Sequence, residues 1–467
     1  MLDAMAGFQK TALLIFGFAL ALRLVALWAG EDATPVKDEI AYVARAEALL
    51  DGEGYLGSYQ SWVRHPGWKL MDLPQYPGAY QPPGYPTFIA GVMAVSGRSV
   101  LAVKAAQCLL SAISCVLVLA LGTRWFGGRA GRFAAWGCAL YPNLIAYSHL
   151  LWSETLFIFE LLLLLWLLFG TPGGRLVSPA RAASAGAVFA AGCLTRGTLL
   201  YLGPVLVLWL WLLADGVSGA SRRPLPPWRS AVGRGALMAV VALALVAPWS
   251  WRNYQVHGGF VLIDTNAPYN LWRGNAPGAM TARELAQVPR YSWPFESLPL
   301  HPVVSLDGRA LIESFRLDER YAEPTDLAIA DYANRSAWRA IRADPARALR
   351  NAGTKLVDMW NPTSFVLRHF ELGAYGTVPE WVRVVVSLAV VLSYLAVCGL
   401  AVIGVARAPQ DRRVWLILAV VAYFAAGSAL AFGLTRFRLP LMPLFLLLSG
   451  LGVAGAGRQS DSRTEVP

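Results

Sequence analysis

Charge is scarce in this chain. Only 15% of its 467 residues are Asp, Glu, Lys or Arg, while 56% are hydrophobic, and a soluble protein of this length cannot hide that much apolar surface in ordinary cores. Histidine is scarcer still. The five histidines are scattered without ligand spacing, so no HExxH-type metal motif exists. All five cysteines (Cys108, Cys115, Cys138, Cys193 and Cys398) fall inside apolar runs, away from the polar loops where a disulfide framework would show, and they carry no message about redox compartment. There is neither a P-loop nor a GxSxG elbow, which counts against nucleotide hydrolysis and against that class of serine hydrolase. No internal repeat or low-complexity tract stands out.

What is abundant is apolar sequence in runs long enough to cross a bilayer. Such runs fall near residues 11–29, 99–121, 131–149, 152–170, 180–194, 197–214, 231–250, 382–406, 414–432 and 437–455, which predicts a mainly α, polytopic membrane protein with about ten spans. The first run is too long for a signal-peptide core and lacks a small-residue cleavage site behind it, so it reads as a retained span. The net charge of +11 sits in short loops such as "GTRWFGGRAGR", "SRRPLPPWRSAVGR" and "RAPQDRR". The positive-inside rule assigns these loops to the cytoplasm, and with no basic soluble domain a nucleic-acid partner is excluded.

Threading the spans from a cytoplasmic N-terminus leaves two long outer segments, 30–98 and 251–381, and returns the C-terminus to the cytoplasm. The stretch "YPTFIAGVMAVSG" in the first is too short to span and predicts an interfacial helix. In the second, "GGFVLIDTNAPYNLWRGNAPG" reads as a strand with turns, and "TDLAIADYANRSAWRAIRADPARALRNAGTKLV" as helical. The expected organisation is a membrane module over 1–250, a small extracytoplasmic α+β domain over 251–381, and terminal helices with a cytoplasmic tail over 382–467.

Asp38 and Glu39 follow the first span in "TPVKDEIAY". With Thr34 as cap and Pro35 opening the helix, both acids complement the helix dipole; alternatively, one projects as a general base into a cavity at the membrane face. The two readings are compatible, since a helix N-terminus keeps a base ionised. Asp38, Tyr42 and Arg45 share one helical face. Glu154 opens the fourth span with Ser153 as a candidate cap, and Glu160, deeper among leucines, demands a partner such as Arg23 or a functional role. "QYPGAYQPPGYP", with Tyr80 and Tyr85, offers an interfacial anchor or a stacking wall for a sugar ring or prenyl chain. Arg196, Arg252, His257, Arg436 and Arg438 gather at outer span ends where arginines are expected to be few, as headgroup snorkels or as a phosphate clamp.

These motifs, in this order, resemble the GT-C superfamily of membrane glycosyltransferases, near its protein O-mannosyltransferase and lipid A aminoarabinose transferase branch. The resemblance runs through "KDEIAY", "YQPPGYP", "SETLF", "LTRGTLL", "RNYQVHGGFVLIDTNAPYNLWRGNAP", "IRADPARAL" and "TRFRLPLMPLF". It implies inverting transfer of a sugar from a polyprenyl-phosphate donor to a lipid, glycan or protein hydroxyl, in the inner membrane and on its outer face. Asp38 is then the base with Glu39 beside it, and Glu154 positions reactants or a divalent metal ion. Arg196, Arg436 and Arg438 are implied phosphate partners, and Tyr42, Tyr80, Tyr85, His257 and Asn275 substrate contacts. Aminoarabinose transferases carry a lysine before their paired prolines, whereas this chain has Gln81, so Arg64, His65 or Lys69 would supply the first loop's phosphate contacts. Against the transferase stand a lipid-sugar transporter or flippase, suggested by the span number, and a non-catalytic envelope scaffold.

Overall fold

The computed structural model describes residues 2–30, 38–56, 78–171, 176–213, 228–276, 325–364, 366–371 and 374–455. Its helices run in chain order as α1 (Leu2–Ala29), α2 (Asp38–Leu50), α3 (Gly84–Val95), α4 (Val100–Phe126), α5 (Gly128–Leu140), α6 (Pro142–Ala146), α7 (Glu154–Phe169), α8 (Pro179–Thr195) and α9 (Gly203–Leu212). Then come α10 (Trp228–His257), α11 (Asn266–Asn275), α12 (Asp326–Ala343), α13 (Pro345–Met359), α14 (Leu367–Glu371), α15 (Glu380–Arg407), α16 (Arg412–Leu430) and α17 (Met442–Ala454). Short 3-10 turns, Gly197–Leu202 and Thr435–Leu441, lead into α9 and α17.

Among the described residues six segments are long and apolar enough to cross a membrane: Ala6–Ala29, Val100–Phe126, Trp228–His257, Glu380–Arg407, Arg412–Leu430 and Thr435–Ala454. Three of the other four expected spans are shorter than the sequence reading made them, and α8 matches its run to within one residue at each end. The run 131–149 is cut at Tyr141, because Pro142 has no N–H to continue the ladder of α5 and its ring disfavours a helical residue before it; α5 therefore has 13 residues. α7 has 16 residues and α8 has 17, and the 197–214 run divides into a 3-10 turn and the ten-residue α9. α3, with 12 residues, is too short to span, as expected.

Small residues let the helices meet closely, as they do where lipid supplies no hydrophobic drive. α4 and α5 touch at Gly122 and Gly131, where a Cβ on Gly122 would lie 2.7 Å from the Gly131 Cα. α15 and α17 cross where Gly404 and Gly452 each face the other helix's backbone. The core between them is apolar and centred on α4, α5, α7, α8 and α17. Outside it, Leu13, Leu14 and Val25 of α1, Val240 and Leu243 of α10 and Leu388, Leu392 and Val402 of α15 are exposed. Surface of that kind belongs against lipid, and the chain is an integral membrane protein. At one end of the bundle Trp28, Tyr201, Trp251, Tyr254 and Trp381 are all exposed, a belt suited to the headgroup layer.

The outer segments differ from expectation in one respect. No strand occurs among the described residues, and the stretch read as strand and turns instead enters a helix. The Asp264 carboxylate accepts the N–H of Asn266 at 2.8 Å, an Asx turn that launches α11 where extended backbone was expected. The α+β expectation is thus corrected to helix over Asn266–Asn275. The helical reading further on holds as α12 and α13, divided at Asp344, whose side chain caps α13 by accepting from the Arg347 N–H at 2.9 Å.

Candidate active site

Four charged side chains from distant parts of the chain meet at the belted end. Asp38 stands at the first residue of α2, Glu154 at the first residue of α7, Arg196 just past the end of α8, and Arg436 in the turn before α17. Arg436 Nη1 donates to Asp38 Oδ2 at 2.8 Å, and its Nε lies 3.9 Å from Glu154 Oε1. The same Glu154 oxygen is 3.1 Å from Arg196 Nη1. The result is a row of alternating sign, Asp38, Arg436, Glu154, Arg196, in which each inner member has an oppositely charged neighbour on both sides. Such a row survives burial because no charge in it is left uncompensated.

Aromatic faces flank the row. The Arg436 guanidinium lies 4.7 Å over Trp152 and 5.5 Å from Phe437, while Arg196 lies 5.6 Å over Phe157 and 5.9 Å from Phe437. Phe437 therefore touches both cations. Tyr42, one turn after Asp38, is half-buried beside the row; desolvation first, and then the charges of Asp38 and Glu154, push its hydroxyl up to about 12, so it remains a neutral O–H donor.

Several expected site residues are placed elsewhere. Glu39 points away from Asp38: its Oε1 accepts the Leu151 N–H at 2.7 Å and its Oε2 lies 3.9 Å from His369 Nε2, so it fastens α2 to the turn before α7. Arg438 donates to the carbonyls of Met359 at 2.8 Å, Thr363 at 2.7 Å and Asn361, and stacks 4.0 Å over Tyr394. Its guanidinium ties the end of α13 to the turn carrying Arg436, and a phosphate would have to compete with that whole set.

The Tyr85 hydroxyl donates to Gln107 at 2.8 Å within a packed cluster that includes Ile89 and Met93. Asn275 donates to the Leu271 and Leu430 carbonyls at 2.8 Å each and accepts from Lys355 Nζ at 3.3 Å. Both residues build the scaffold. Ser153 makes no capping bond with its side chain. Arg252 is drawn to the carbonyls of Gly78 and Tyr55, and both ring nitrogens of His257 lack a partner among the described residues. Arg64, His65 and Lys69, like Thr34 and Pro35, lie outside the described residues. Arg23 donates to Ser111 at 2.7 Å and to the Ala139 and Cys138 carbonyls, which removes it as the partner of Glu160.

Tyr80 does face the site. Its N–H and that of Ala79 donate to the buried Asp326 carboxylate at 2.9 and 2.6 Å, and its ring sits edge-on to Tyr269, 5.3 Å between centroids. Burial and Tyr269 raise its hydroxyl, while the charges of Arg273 and Asp38 act on it with opposite sign. Arg273 of α11 and Asp38 of the row thus both act on Tyr80. Arg273 lies 4.3 Å over Phe432 and has no hydrogen-bond or ion-pair partner among the described residues. It was missed because "NLWRGN" gives no hint which of its polar residues is already committed to the backbone.

Gln81 takes the position before the prolines, where its Oε1 accepts from Arg45 at 2.5 Å. The glycine that follows is required: a Cβ on Gly84 would lie 2.7 Å from the Leu194 carbonyl, at the end of α8.

The described residues show no ready divalent-metal site at the row. Its two carboxylates share Arg436, and no group of three or more His, Cys, Asp or Glu side chains converges among the described residues.

The sequence profile of the dolichyl-phosphate-mannose-protein mannosyltransferase family matches residues 80–251, a stretch that holds Tyr80, Glu154 and Arg196. No curated protein matches the chain by sequence. Among solved structures, the oligosaccharyltransferase of Archaeoglobus fulgidus, in complex with zinc and sulfate, aligns with TM-score 0.51 at 14% identity over 95% of this chain and 48% of that one. Archaeal oligosaccharyltransferase AglB from Archaeoglobus fulgidus, in complex with an inhibitory peptide and a dolichol-phosphate, aligns with TM-score 0.50 at 13% identity, covering 96% and 50%. ArnT from Cupriavidus metallidurans, bound to undecaprenyl phosphate, gives TM-score 0.38 at 16% identity over 96% and 77%, too loose to carry residue correspondences. The chain spans about half the length of the archaeal enzymes whose fold it shares. The chain is thus similar to the dolichyl-phosphate-mannose-protein mannosyltransferases over residues 80–251, and it shares its fold with the archaeal oligosaccharyltransferases.

Proposed function

We propose that the protein transfers a sugar from a polyprenyl-phosphate donor to a hydroxyl of a lipid, glycan or protein acceptor, with inversion, at the extracytoplasmic face of the inner membrane. The observation that carries this reading is the convergence of Asp38, Arg436, Glu154 and Arg196 at the belted end of the bundle. A prenyl phosphate is held by its own lipid, so its phosphate and sugar reside at headgroup depth, and no nucleotide-binding loop is needed.

In this reading Asp38 accepts the proton of the acceptor hydroxyl as its oxygen attacks the anomeric carbon. The bond from that carbon to the phosphate oxygen breaks on the opposite side, and polyprenyl phosphate leaves with the electron pair. Arg196, Arg436 and the uncommitted Arg273 hold the leaving phosphate, because guanidinium forks match its oxygens and neutralise the charge that develops on them. Glu154 holds Arg196 and Arg436 apart at a fixed spacing. Arg436 is paired with Asp38 before the donor arrives; a phosphate that draws Arg436 toward itself releases Asp38 for the acceptor. Tyr80 and Tyr269 provide aromatic surface beside the sugar. Residues 1–250 supply Asp38, Glu154 and Arg196 to the reaction, while Arg273 and Arg436 come to it from the outer segment and the C-terminal helices.

An Asp38→Asn variant tests the central role. Purified protein is incubated with a panel of polyprenyl-phosphate sugars and release of free polyprenyl phosphate is measured. The variant is expected to fold and to bind undecaprenyl phosphate, but to turn over at least about 100-fold more slowly, the usual cost of removing a general base. Turnover at the wild-type rate would show that Asp38 is not the base.

A further inference from the structure

Below Glu154 on α7 lies a second acid, Glu160, that the reaction above does not use. It is 6% exposed and sits among leucines, where a carboxyl without a partner is costly. Its partner is at the end of α8: Glu160 Oε1 accepts the Thr195 hydroxyl at 3.0 Å. Oε2 has no hydrogen-bond partner among the described residues, and Gly192, one turn back on α8, lies against it.

Thr195 is the last residue of α8, and the next is Arg196. The Arg196 N–H closes onto the Gly192 carbonyl at 2.8 Å, and its backbone is extended at φ −146°, ψ 107°. The direction of its side chain therefore depends on where, and at what rotation, α8 stops. Gly84 packs against the Leu194 carbonyl from one side, and Gly197 faces Asp264 on another. Those contacts bound the position of the turn. The bond between Glu160 and Thr195 ties its rotation to α7, the helix that also carries Glu154, one residue before Arg196 itself reaches that helix.

We infer that Glu160 is a positioning residue: through Thr195 it fixes the last turn of α8 and so aims Arg196 at Glu154 and at the donor phosphate. This rests on the phosphate role given to Arg196 above. The "LTRG" motif then has a physical account, with Thr195 docked on Glu160, Arg196 on Glu154, and Gly197 leaving room for the Asp264 carboxylate.

The test is binding of undecaprenyl phosphate to the full-length protein in nanodiscs, with the thermal midpoint of each variant recorded alongside. Glu160→Leu and Thr195→Val are each expected to weaken binding about tenfold, and the double variant no more than either alone, since both remove one interaction. Glu160→Gln keeps the acceptor oxygen and is expected to bind within about twofold of wild type. A residue that serves stability alone would shift the midpoint and leave the affinity unchanged. Arg196→Gln is the reference. If it loses affinity while folded Glu160→Leu or Thr195→Val binds like wild type, the positioning role is overturned and the phosphate reading stands. If Arg196→Gln itself binds like wild type, the phosphate role fails and the inference with it. Should Glu160→Leu not fold, the near-isosteric Thr195→Val decides by itself.

Discussion

The two ends of the bundle use arginine in opposite ways. At the end holding the basic loops, Arg124 donates to the Thr171 carbonyl, Arg181 to those of Trp166 and Leu167, Arg234 to Val177, Arg407 to Gly452, Arg412 to Leu212 and Arg413 to Trp125. Several of these acceptors are the last carbonyls of helices, so cation meets helix C-terminus, and among the described residues no carboxylate lies within ion-pair distance. At the belted end Arg196 and Arg436 meet carboxylates instead. The first arrangement consists of separate contacts, each of which can fail alone. The second is a linked row, where removing one member strands the others. A membrane protein gains orientation from the first and chemistry from the second.

The sharpest way to break the comparison is Arg436→Gln. It leaves Asp38 and Glu154 facing each other without the cation between them. Stranding one partner of a buried ion pair costs about 3–5 kcal/mol, less here because the Asp38 side chain retains 32% exposure. A sugar-transfer assay should record a loss of at least about 100-fold, and a thermal scan should show a lowered midpoint. An Arg436→Gln protein with full activity would reduce the row to a structural feature like the contacts at the opposite end.

How much of this was legible in the sequence depends on what each residue had to reveal. Depth was legible. Charge bias in the short loops fixes which span ends share a face, and Asp38, Glu154, Arg196 and Arg436 all stand at such ends. Direction was not. Asp38 and Glu39 are neighbours on a helix, so their side chains diverge by about 100°, and only the packed structure shows that Asp38 reaches Arg436 while Glu39 reaches Leu151. Arg436 and Arg438 likewise diverge, one to a carboxylate and the other to three carbonyls. Tyr85 and Asn275 read as substrate contacts because polar and aromatic residues in loops usually do; their partners, Gln107 and the end of α16, are too far away in sequence to be anticipated. The strand expected before α11 failed on one side chain, Asp264, whose bond to Asn266 turns the backbone into a helix.

Asp264 gives a smaller effect and sharpens the contrast, because it is an acid at the belted end with no cation in the row assigned to it. Burial pushes its carboxyl up to about 6 from an ordinary 3.8, against the lowering by the N–H groups of Asn266 and Ala267. The sign follows from proton binding. Between these two pKa values the folded state holds the proton more tightly than the unfolded state, so stability falls as pH rises through the window and is level above it. Asp264→Asn removes that titration. Thermal midpoints in detergent should show the variant gaining on wild type by about 2–4 °C between pH 4 and pH 6, with no further gain at pH 7. A difference that stays constant across the window would mean that Asp264 is ionised throughout and has a cation nearby.

The smallest effect belongs to the opposite end. Arg412 donates to the Leu212 carbonyl at 2.6 Å while its own carbonyl accepts the Trp209 indole N–H at 2.9 Å, so the backbone half of the contact outlives any change of side chain. Arg412→Gln deletes one cation beside one helix C-terminus, an interaction of about 0.3–1 kcal/mol that lipid headgroups and water partly replace. Arg413, Arg407 and Arg124 remain at that end, so one substitution leaves its excess of positive charge in place. Transfer activity should therefore match wild type within about twofold, and the midpoint should move by no more than about 2 °C. A loss of activity comparable to that of Arg436→Gln, in protein with an unchanged midpoint, would mean that the basic end is coupled to the row across the bundle, and the division between orienting and reacting arginines would have to be abandoned.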